Sequence, residues 1–169
     1  MSLEESREQA VQRMIAAYGD ELLRLCFMYL SDWQLAEDAL QETFLKVFRK
    51  YDTFAGRSSE KTWLVRIAVN VCKDYLRGNW LRRVDCYGAL SEVPVSEAYV
   101  QQSKDEAILL AVLELPVKYR EVILLYHYWG LETAEIAELL RQPPSTVSTR
   151  LRRGRAMLKE HLEGVENNG

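Results

Sequence analysis

A cluster of hydroxyl and guanidinium side chains near the end of the chain has the chemistry to contact duplex DNA. The stretch from residue 145 to 153 has the sequence STVSTRLRR. Arginine can donate two parallel hydrogen bonds to guanine, and short hydroxyls can reach base edges or phosphates. The alternative interpretation is a basic face that meets only water. The candidate DNA-binding residues are Ser145, Thr146, Ser148, Thr149, Arg152 and Arg153.

A second cluster, between Arg57 and Val84, combines positive charge with aromatic and amide side chains and has a net charge of +5. This combination suits single-stranded nucleic acid, because phosphates pair with the cations while unstacked bases lie on the rings. A solvated basic face is again the alternative. The candidates are Arg57, Lys61, Thr62, Trp63, Arg66, Asn70, Lys73 and Arg77. Helical spacing predicts that Val69 shares this outward face and that Tyr75 lies on the opposite, core side.

A third group, Asp38, Gln41, Glu42 and Leu45, forms one stripe of a predicted helix. The stripe is acidic and amide in character with a leucine at its centre. It is either a protein-docking surface or a solvated face with one exposed leucine, since exposed leucines are common.

The C-terminal cluster requires a helix that presents it, and the surrounding pattern predicts one. Val147, Leu151, Gly154 and Leu158 recur at the spacing of one buried helical stripe, opposite the hydroxyls and arginines. A shorter apolar helix precedes it, separated by residues 141–144, and Pro144 suits the first turn of the second helix. The pattern predicts a helix-turn-helix whose second helix enters the major groove.

The N-terminal part is also predicted to be helical. Gly19 is expected to interrupt the first apolar pattern, and Ser31 with Gln34 resembles a capping box that opens a long helix. Ser58 or Ser59 is expected to cap the next one. The predicted helices span residues 4–18, 22–30, 31–51 and 60–83.

Few helix-breaking residues and scarce strand patterns predict an all-α fold: the 169 residues include four prolines and eight glycines. Residues 85–105 change character, with Gly88, Pro94 and an excess of acidic side chains. We therefore expect two small helical domains, 1–84 and 106–169, joined by a flexible acidic linker at 85–105.

The overall charge limits how this chain can bind DNA. The net charge is −3 and the isoelectric point about 5.5, whereas proteins that bind DNA alone are usually basic. The positive charge must therefore be local, and we expect the isolated protein to bind duplex DNA poorly.

Other classes of function find little support. Cys26, Cys72 and Cys86 are too few and too far apart for a zinc site, and no metal or cofactor is expected. No nucleophile motif, phosphate loop or paired carboxylates in an apolar setting indicate an enzyme. The absence of a signal peptide and of a membrane-length apolar run predicts a cytoplasmic protein without membrane insertion.

Three stretches together resemble the extracytoplasmic-function (ECF) branch of bacterial sigma factors, the specificity subunits of RNA polymerase. They are AEDALQETFLKVFRKYDTF, TWLVRIAVNVCKDYLR and LPVKYREVILLYHYWGLETAEIAELLRQPPSTVSTRLRRGRAMLKEHL. In that family such segments dock on the β′ clamp helices of core RNA polymerase, open and read the −10 promoter element, and read the −35 element.

The resemblance implies a role for each cluster. The Asp38 to Leu45 stripe would contact the polymerase, the Arg57 to Arg77 residues the opened −10 strand, and the Ser145 to Arg153 face the −35 duplex. It also implies an anti-sigma factor as a partner. The alternative is a self-standing helix-turn-helix regulator that binds duplex DNA as a dimer.

The turn of the helix-turn-helix departs from the family pattern. Arg141 stands where the family often has glycine, so a positive φ would introduce strain. Gln142 replaces an apolar residue, and Pro143 precedes Pro144. Glu132 replaces the usual serine cap, and Thr133 is expected to take over that role.

Overall fold

The computed structural model describes residues 4–83 and 106–167, and the chain divides into two compact units at residues 93 and 94. The described residues form helices and turns without strands, which confirms the all-α prediction. The predicted linker at 85–105 lies outside the described residues.

The described part of the first unit contains three helices, each of which packs on the other two. Helix α1 spans Arg7–Leu30, α2 spans Trp33–Lys50 and continues into a 3₁₀ turn at Tyr51–Thr53, and α3 spans Glu60–Arg83. Cys26 and Cys72 are buried free thiols in this core, as their positions beside apolar stripes suggest. The largest fully buried side chains here include Met14, Leu22, Leu25, Phe27, Tyr29, Val47 and Leu64.

Helix α1 is continuous, so the predicted interruption at Gly19 is wrong. Gly19 is buried within the helix, and Met14 before it and Leu22 after it are both fully buried. A helical glycine costs about 1 kcal/mol, whereas each buried side chain of this size contributes about 1.5–3 kcal/mol. Packing on both sides of Gly19 therefore outweighs its weak helix propensity.

The junction between α1 and α2 uses a different cap from the predicted one. Ser31 has a left-handed backbone (φ 55°) and ends α1, with its N–H donating to the Phe27 carbonyl over 2.7 Å. Asp32 is the N-cap of α2, and its carboxylate accepts from the Leu35 N–H at 2.9 Å. The predicted capping box at Ser31 is therefore wrong, and α2 begins two residues later.

Helix α3 is capped by Ser59, one of the two predicted serines, whose Oγ accepts from the Thr62 N–H at 3.1 Å. Both α1 and α2 pack against α3, so its buried surface is wider than a single stripe. Val65 and Val69 are fully buried beside the predicted core residues. The prediction that Val69 faces outward is therefore wrong.

In the residues that the structure describes, the second unit contains four helices, and the first three surround the long final one. Helix α4 spans Glu106–Glu114, and α5 spans Val117–Ile123 and continues as a π-helical segment at Leu124–Tyr128. Helix α6 spans Thr133–Leu140 and α7 spans Pro144–Asn167. Helices α4, α5 and α6 all pack on α7, which is therefore the centre of this unit.

The turn between α6 and α7 has a left-handed backbone, although an arginine and not a glycine stands at that position. Arg141 adopts the left-handed conformation (φ 53°) usually taken by glycine. The Gln142 N–H donates to the Ala137 carbonyl (2.9 Å) and the Arg141 N–H to the Glu138 carbonyl (3.3 Å), which forms a Schellman motif. Pro144 is the first residue of α7, as predicted.

The start of α6 differs from the prediction. Thr133 is the first helical residue, and Glu132 occupies the N-cap position, so the expected Thr133 cap is wrong. The Glu135 carboxylate accepts from the Glu132 N–H at 2.8 Å. A carboxylate near a helix N-terminus also interacts favourably with the helix dipole, so two glutamates replace the usual serine.

The predicted buried stripe of α7 is confirmed. Val147, Leu151 and Gly154 are buried, and Leu158 is half-buried. A Cβ atom on Gly154 would lie only 3.1 Å from Ile123 Cγ1, so glycine lets α5 approach α7 closely. This contact fixes which face of α7 points outward.

Candidate functional site

The predicted docking stripe on α2 lies on the surface of the first unit. Asp38 and Gln41 are exposed, Glu42 is half-buried, and 52% of the Leu45 surface is exposed. The Glu42 carboxylate lies 4.0 Å from the Lys46 ammonium. The arrangement is an apolar centre with a polar surround, which is typical of protein interfaces.

Two aromatic residues extend this stripe beyond the predicted set. Phe48 is 36% exposed and the Arg7 guanidinium lies 5.3 Å from its ring centroid. Partial burial, followed by the negative charges of Asp38 and Glu42, raises the pKa of Tyr75 on α3. Tyr75 therefore lies within the negative electrostatic field of Asp38 and Glu42, although helical spacing alone places it on the core side of α3.

The predicted single-strand face of α3 is accessible over most of its length. Asn70 and Arg77 are exposed on the helix, and Arg57 is exposed in the preceding loop. The half-buried members of the set are Lys61, Thr62, Trp63, Arg66 and Lys73.

The loop before α3 is held on the start of the helix by an aromatic pair. The rings of Phe54 and Trp63 lie 4.7 Å apart between centroids, with 31° between their planes. The Thr62 Oγ1 accepts a hydrogen bond from the Ser59 Oγ at 2.9 Å. Thr62 and Trp63 therefore also organise the N-terminal end of α3.

Carboxylates accompany several cations of the α3 face. The Lys61 ammonium lies 3.3 Å from the Glu21 carboxylate of α1. The Arg77 guanidinium lies 3.2 Å from Asp74, whose carboxylate is also 3.7 Å from Lys46. These exposed pairs are weak, but each lowers the positive potential that a phosphate would meet.

The helix-turn-helix brings together all the predicted duplex-binding residues on the side of α7 away from Val147 and Leu151. Ser145, Ser148, Arg152 and Arg153 are exposed, and Thr146 and Thr149 are half-buried. A third arginine of α7, Arg150, lies 3.5 Å from the buried Glu121 carboxylate of α5 and so helps to hold α7 against α5.

Two residues of α5, Lys118 and Tyr119, lie beside this face. The pattern of α7 could not predict them, because they belong to a different helix. Hydrogen bonding to the Arg153 guanidinium, followed by the charge of the nearby Lys118 ammonium, lowers the pKa of Tyr119, and all three residues line one pocket. The Lys118 Nζ lies 5.0 Å from the Tyr119 ring centroid. Arg153 is therefore turned toward α5.

Comparison with known proteins accounts for both units. The family model of sigma-70 region 2 matches residues 14–82, and that of sigma-70 region 4 matches residues 105–158. The ECF RNA polymerase sigma factor SigX of Bacillus subtilis is 32% identical over 165 residues, which cover 92% of this chain and 85% of SigX. The chain belongs to the ECF RNA polymerase sigma factors.

Further relatives agree with this assignment. SigW, another ECF sigma factor of Bacillus subtilis, is 31% identical over 94% of this chain and 91% of its own length. The fold is that of the sigma factor RpoE from Bartonella quintana, solved with the anti-sigma factor NepR. The TM-score is 0.73 at 23% identity, over 90% of this sigma factor and 96% of that chain.

The matched regions contain every predicted site residue of this ECF sigma factor. The predicted docking stripe and the α3 face lie within the region 2 match, and the α7 face lies within the region 4 match. In the residues that the structure describes, no His, Cys, Asp and Glu side chains group in a way that would hold a metal ion. None of the described helices is long and apolar enough to span a membrane.

Proposed function

We propose that this ECF sigma factor directs core RNA polymerase to specific promoters by docking through α2, reading the −35 element through α7 and capturing the opened −10 strand on α3. The observation that carries the proposal is the presence of two chemically different candidate DNA faces, one in each matched region. The protein binds and positions, and the polymerase performs the chemistry.

The polymerase contact uses Asp38, Gln41, Glu42 and Leu45, which face the β′ clamp helices. Its support is their shared exposed position on α2 and the large exposed fraction of Leu45. A surface of this kind commonly depends on a few residues. Phe48 and Tyr75 belong to the same contact.

The −10 contact uses the exposed Asn70 and Arg77 together with the loop that Phe54 and Trp63 anchor. An amide can hydrogen-bond to an unpaired base, and cations can follow the strand backbone. The full set is Arg57, Lys61, Thr62, Trp63, Arg66, Asn70, Lys73 and Arg77.

The −35 contact uses the face of α7, with Ser145, Thr146, Ser148 and Thr149 close to base edges or phosphates and Arg152 and Arg153 along the duplex. The exposure of four of these residues on the second helix of the helix-turn-helix supports this assignment. The domain division at 1–84, 85–105 and 106–169 follows the same roles.

The partners of this sigma factor are core RNA polymerase, promoter DNA and an anti-sigma factor, and it works in the cytoplasm, where the first two are found. The anti-sigma partner is proposed by analogy with structural neighbours. CnrH, for example, was solved in complex with the cytosolic domain of CnrY and has a TM-score of 0.67 to this chain at 23% identity.

Run-off transcription with purified core enzyme on a genomic promoter library tests the proposal. We expect transcripts that require the sigma factor and that share one −35 and one −10 sequence, with core enzyme alone as the control. A protein that yields no such transcripts, yet binds closed duplex at nanomolar concentration by itself, would be a self-standing regulator instead.

A further inference from the structure

A pocket of about 250 Å³ lies between α5 and α7, at the edge of the proposed −35 face. Lys118 and Tyr119 line it from α5, and Thr146, Thr149 and Arg153 from α7. The pocket therefore joins residues of the helix-turn-helix to residues of the helix that supports it.

The pocket is positively charged. Its cations are Lys118, Arg150 and Arg153, and none of its described lining residues is acidic. Arg150 lies against the Glu121 carboxylate, which reduces its contribution. The positive charge available to a ligand therefore comes mainly from Lys118 and Arg153, both of which are exposed.

Tyr119 positions these two cations without cancelling their charge. It lines the pocket together with both cations, its ring lies 5.0 Å from the Lys118 ammonium, and the Arg153 guanidinium lowers the pKa of its hydroxyl. A phenol is neutral at physiological pH even when its pKa is somewhat lowered. It can therefore hold an arginine in place while leaving the full positive charge to attract an anion, unlike the Glu21 carboxylate beside Lys61.

The chemistry of the pocket suits one phosphate group. Lys118 supplies a compact ammonium, Arg153 a planar guanidinium, and Thr146 and Thr149 supply hydroxyl donors. Resting on the function proposed above, we infer that this pocket binds one backbone phosphate of the −35 duplex. Lys118 and Arg153 are the phosphate-binding residues and Tyr119 is a positioning residue, while the exposed Arg152 remains available to the bases.

Salt dependence of promoter binding tests this inference in the complete sigma factor bound to core polymerase. Removing one phosphate-binding cation should make the slope of log K against log salt concentration shallower by about 0.9. Lys118→Ala should show this change, so that the ratio of wild-type affinity to variant affinity falls about 3.5-fold between 50 and 200 mM salt. The decrease in affinity should be equal for promoters that differ in their −35 bases.

Lys159→Ala is the matched control, because Lys159 is an exposed lysine of the same unit that lies outside this pocket. It should leave the slope at the wild-type value. An equal change in both variants, or no change in Lys118→Ala, would overturn the inference, because bulk charge rather than a seated phosphate would then explain the salt effect.

Neutral methylphosphonates, introduced one at a time along the −35 backbone, identify the phosphate. At one position the methylphosphonate should weaken promoter binding by the wild-type complex but should not further weaken binding by the Lys118→Ala complex. Additive losses at every position would contradict a bound phosphate. We expect inorganic phosphate at constant ionic strength to compete equally with wild type and Lys118→Ala, because the pocket recognises a phosphate of the DNA backbone. Stronger competition in wild type would show that the pocket selects free phosphate instead.

Tyr119→Phe tests the positioning role, since it keeps the ring and removes the hydroxyl. We expect the thermal melting of the protein to be unchanged while the methylphosphonate-sensitive position becomes less sensitive; unchanged sensitivity would remove Tyr119 from the site. A wild-type complex that binds no promoter would refute the proposed function itself. Normal promoter binding by the wild-type complex that Lys118→Ala leaves unchanged would refute only the phosphate pocket.

Discussion

The two candidate DNA faces of this sigma factor differ in how their cations are partnered. On α3, Lys61 lies beside Glu21 and Arg77 beside Asp74. On α7, Arg153 lines a pocket with the neutral Tyr119 of α5, and Arg152 is exposed. A carboxylate cancels the field of a cation, whereas a phenol only orients it.

This difference suits two forms of DNA. Closed duplex presents a dense array of phosphates, which favours the undiminished positive potential of α7. An opened strand presents unpaired bases, for which we expect Asn70 and the anchored Trp63 to matter more than net charge. We therefore expect the partner of each cation, and not the number of cations, to separate the proposed duplex binding on α7 from the proposed strand capture on α3.

Loss of polymerase docking should abolish the contribution of both faces, because each alone is too small to hold promoter DNA at physiological salt. Leu45→Arg with Asp38→Lys should weaken core binding at least a hundredfold, since important interface residues often contribute about 2 kcal/mol or more each. Pull-down with core enzyme measures this, and circular dichroism checks the fold. Unchanged affinity in a folded variant would place docking elsewhere.

The α7 face should depend on close packing that the α3 face does not share. Gly154→Val should destabilise the second unit by about 1–3 kcal/mol, because the new side chain would overlap Ile123. Gly164→Val is the matched control, since a Cβ atom there meets nothing within 4 Å. Thermal unfolding of both variants measures the difference. Equal changes in both variants would mean that close packing against Ile123 does not explain Gly154, because valine has a higher helix propensity than glycine.

The two faces should respond to different DNA substrates. Arg152→Ala should lower preference at one −35 position by about 1–3 kcal/mol if it contacts a base. Asn70→Ala should leave −35 preference intact and reduce the benefit of a pre-melted −10 segment. Mobility-shift assays of the reconstituted complex on closed and pre-melted promoters distinguish the effect of Arg152→Ala from that of Asn70→Ala. A complex that gains nothing from pre-melting would remove the strand-capture role of α3.

The smallest expected effect concerns the carboxylate beside Lys61. Glu21→Gln removes a negative charge from the α3 face, and an exposed pair of this kind is worth about 0.2–1 kcal/mol. Binding to a pre-melted promoter should therefore tighten by up to about fivefold at low salt and converge with wild type at high salt. Glu8→Gln, an exposed carboxylate in the first turn of α1, serves as the charge-matched control. Weaker binding by Glu21→Gln would show that the carboxylate orients Lys61 instead of competing with phosphate.

The sequence alone determined the helical class, the outward α2 stripe and the helix-turn-helix. Each of these depends on a pattern within one helix, such as the spacing of Val147, Leu151 and Gly154 or the placement of Pro144. Local chemistry sufficed for the Ser59 cap but not for the predicted Ser31 and Thr133 caps, because the neighbouring Asp32 and Glu132 occupy those N-cap positions.

Only the tertiary structure decided which faces are covered and which residues from other helices join them. Val69 is buried because α1 and α2 both cover α3, and α1 continues through Gly19 because its two halves share one core. Lys118 and Tyr119 reach Arg153 because Gly154 lets α5 approach α7. Periodicity describes each helix in its own frame, whereas these contacts depend on the separation and angle between helices, which no single helical pattern contains.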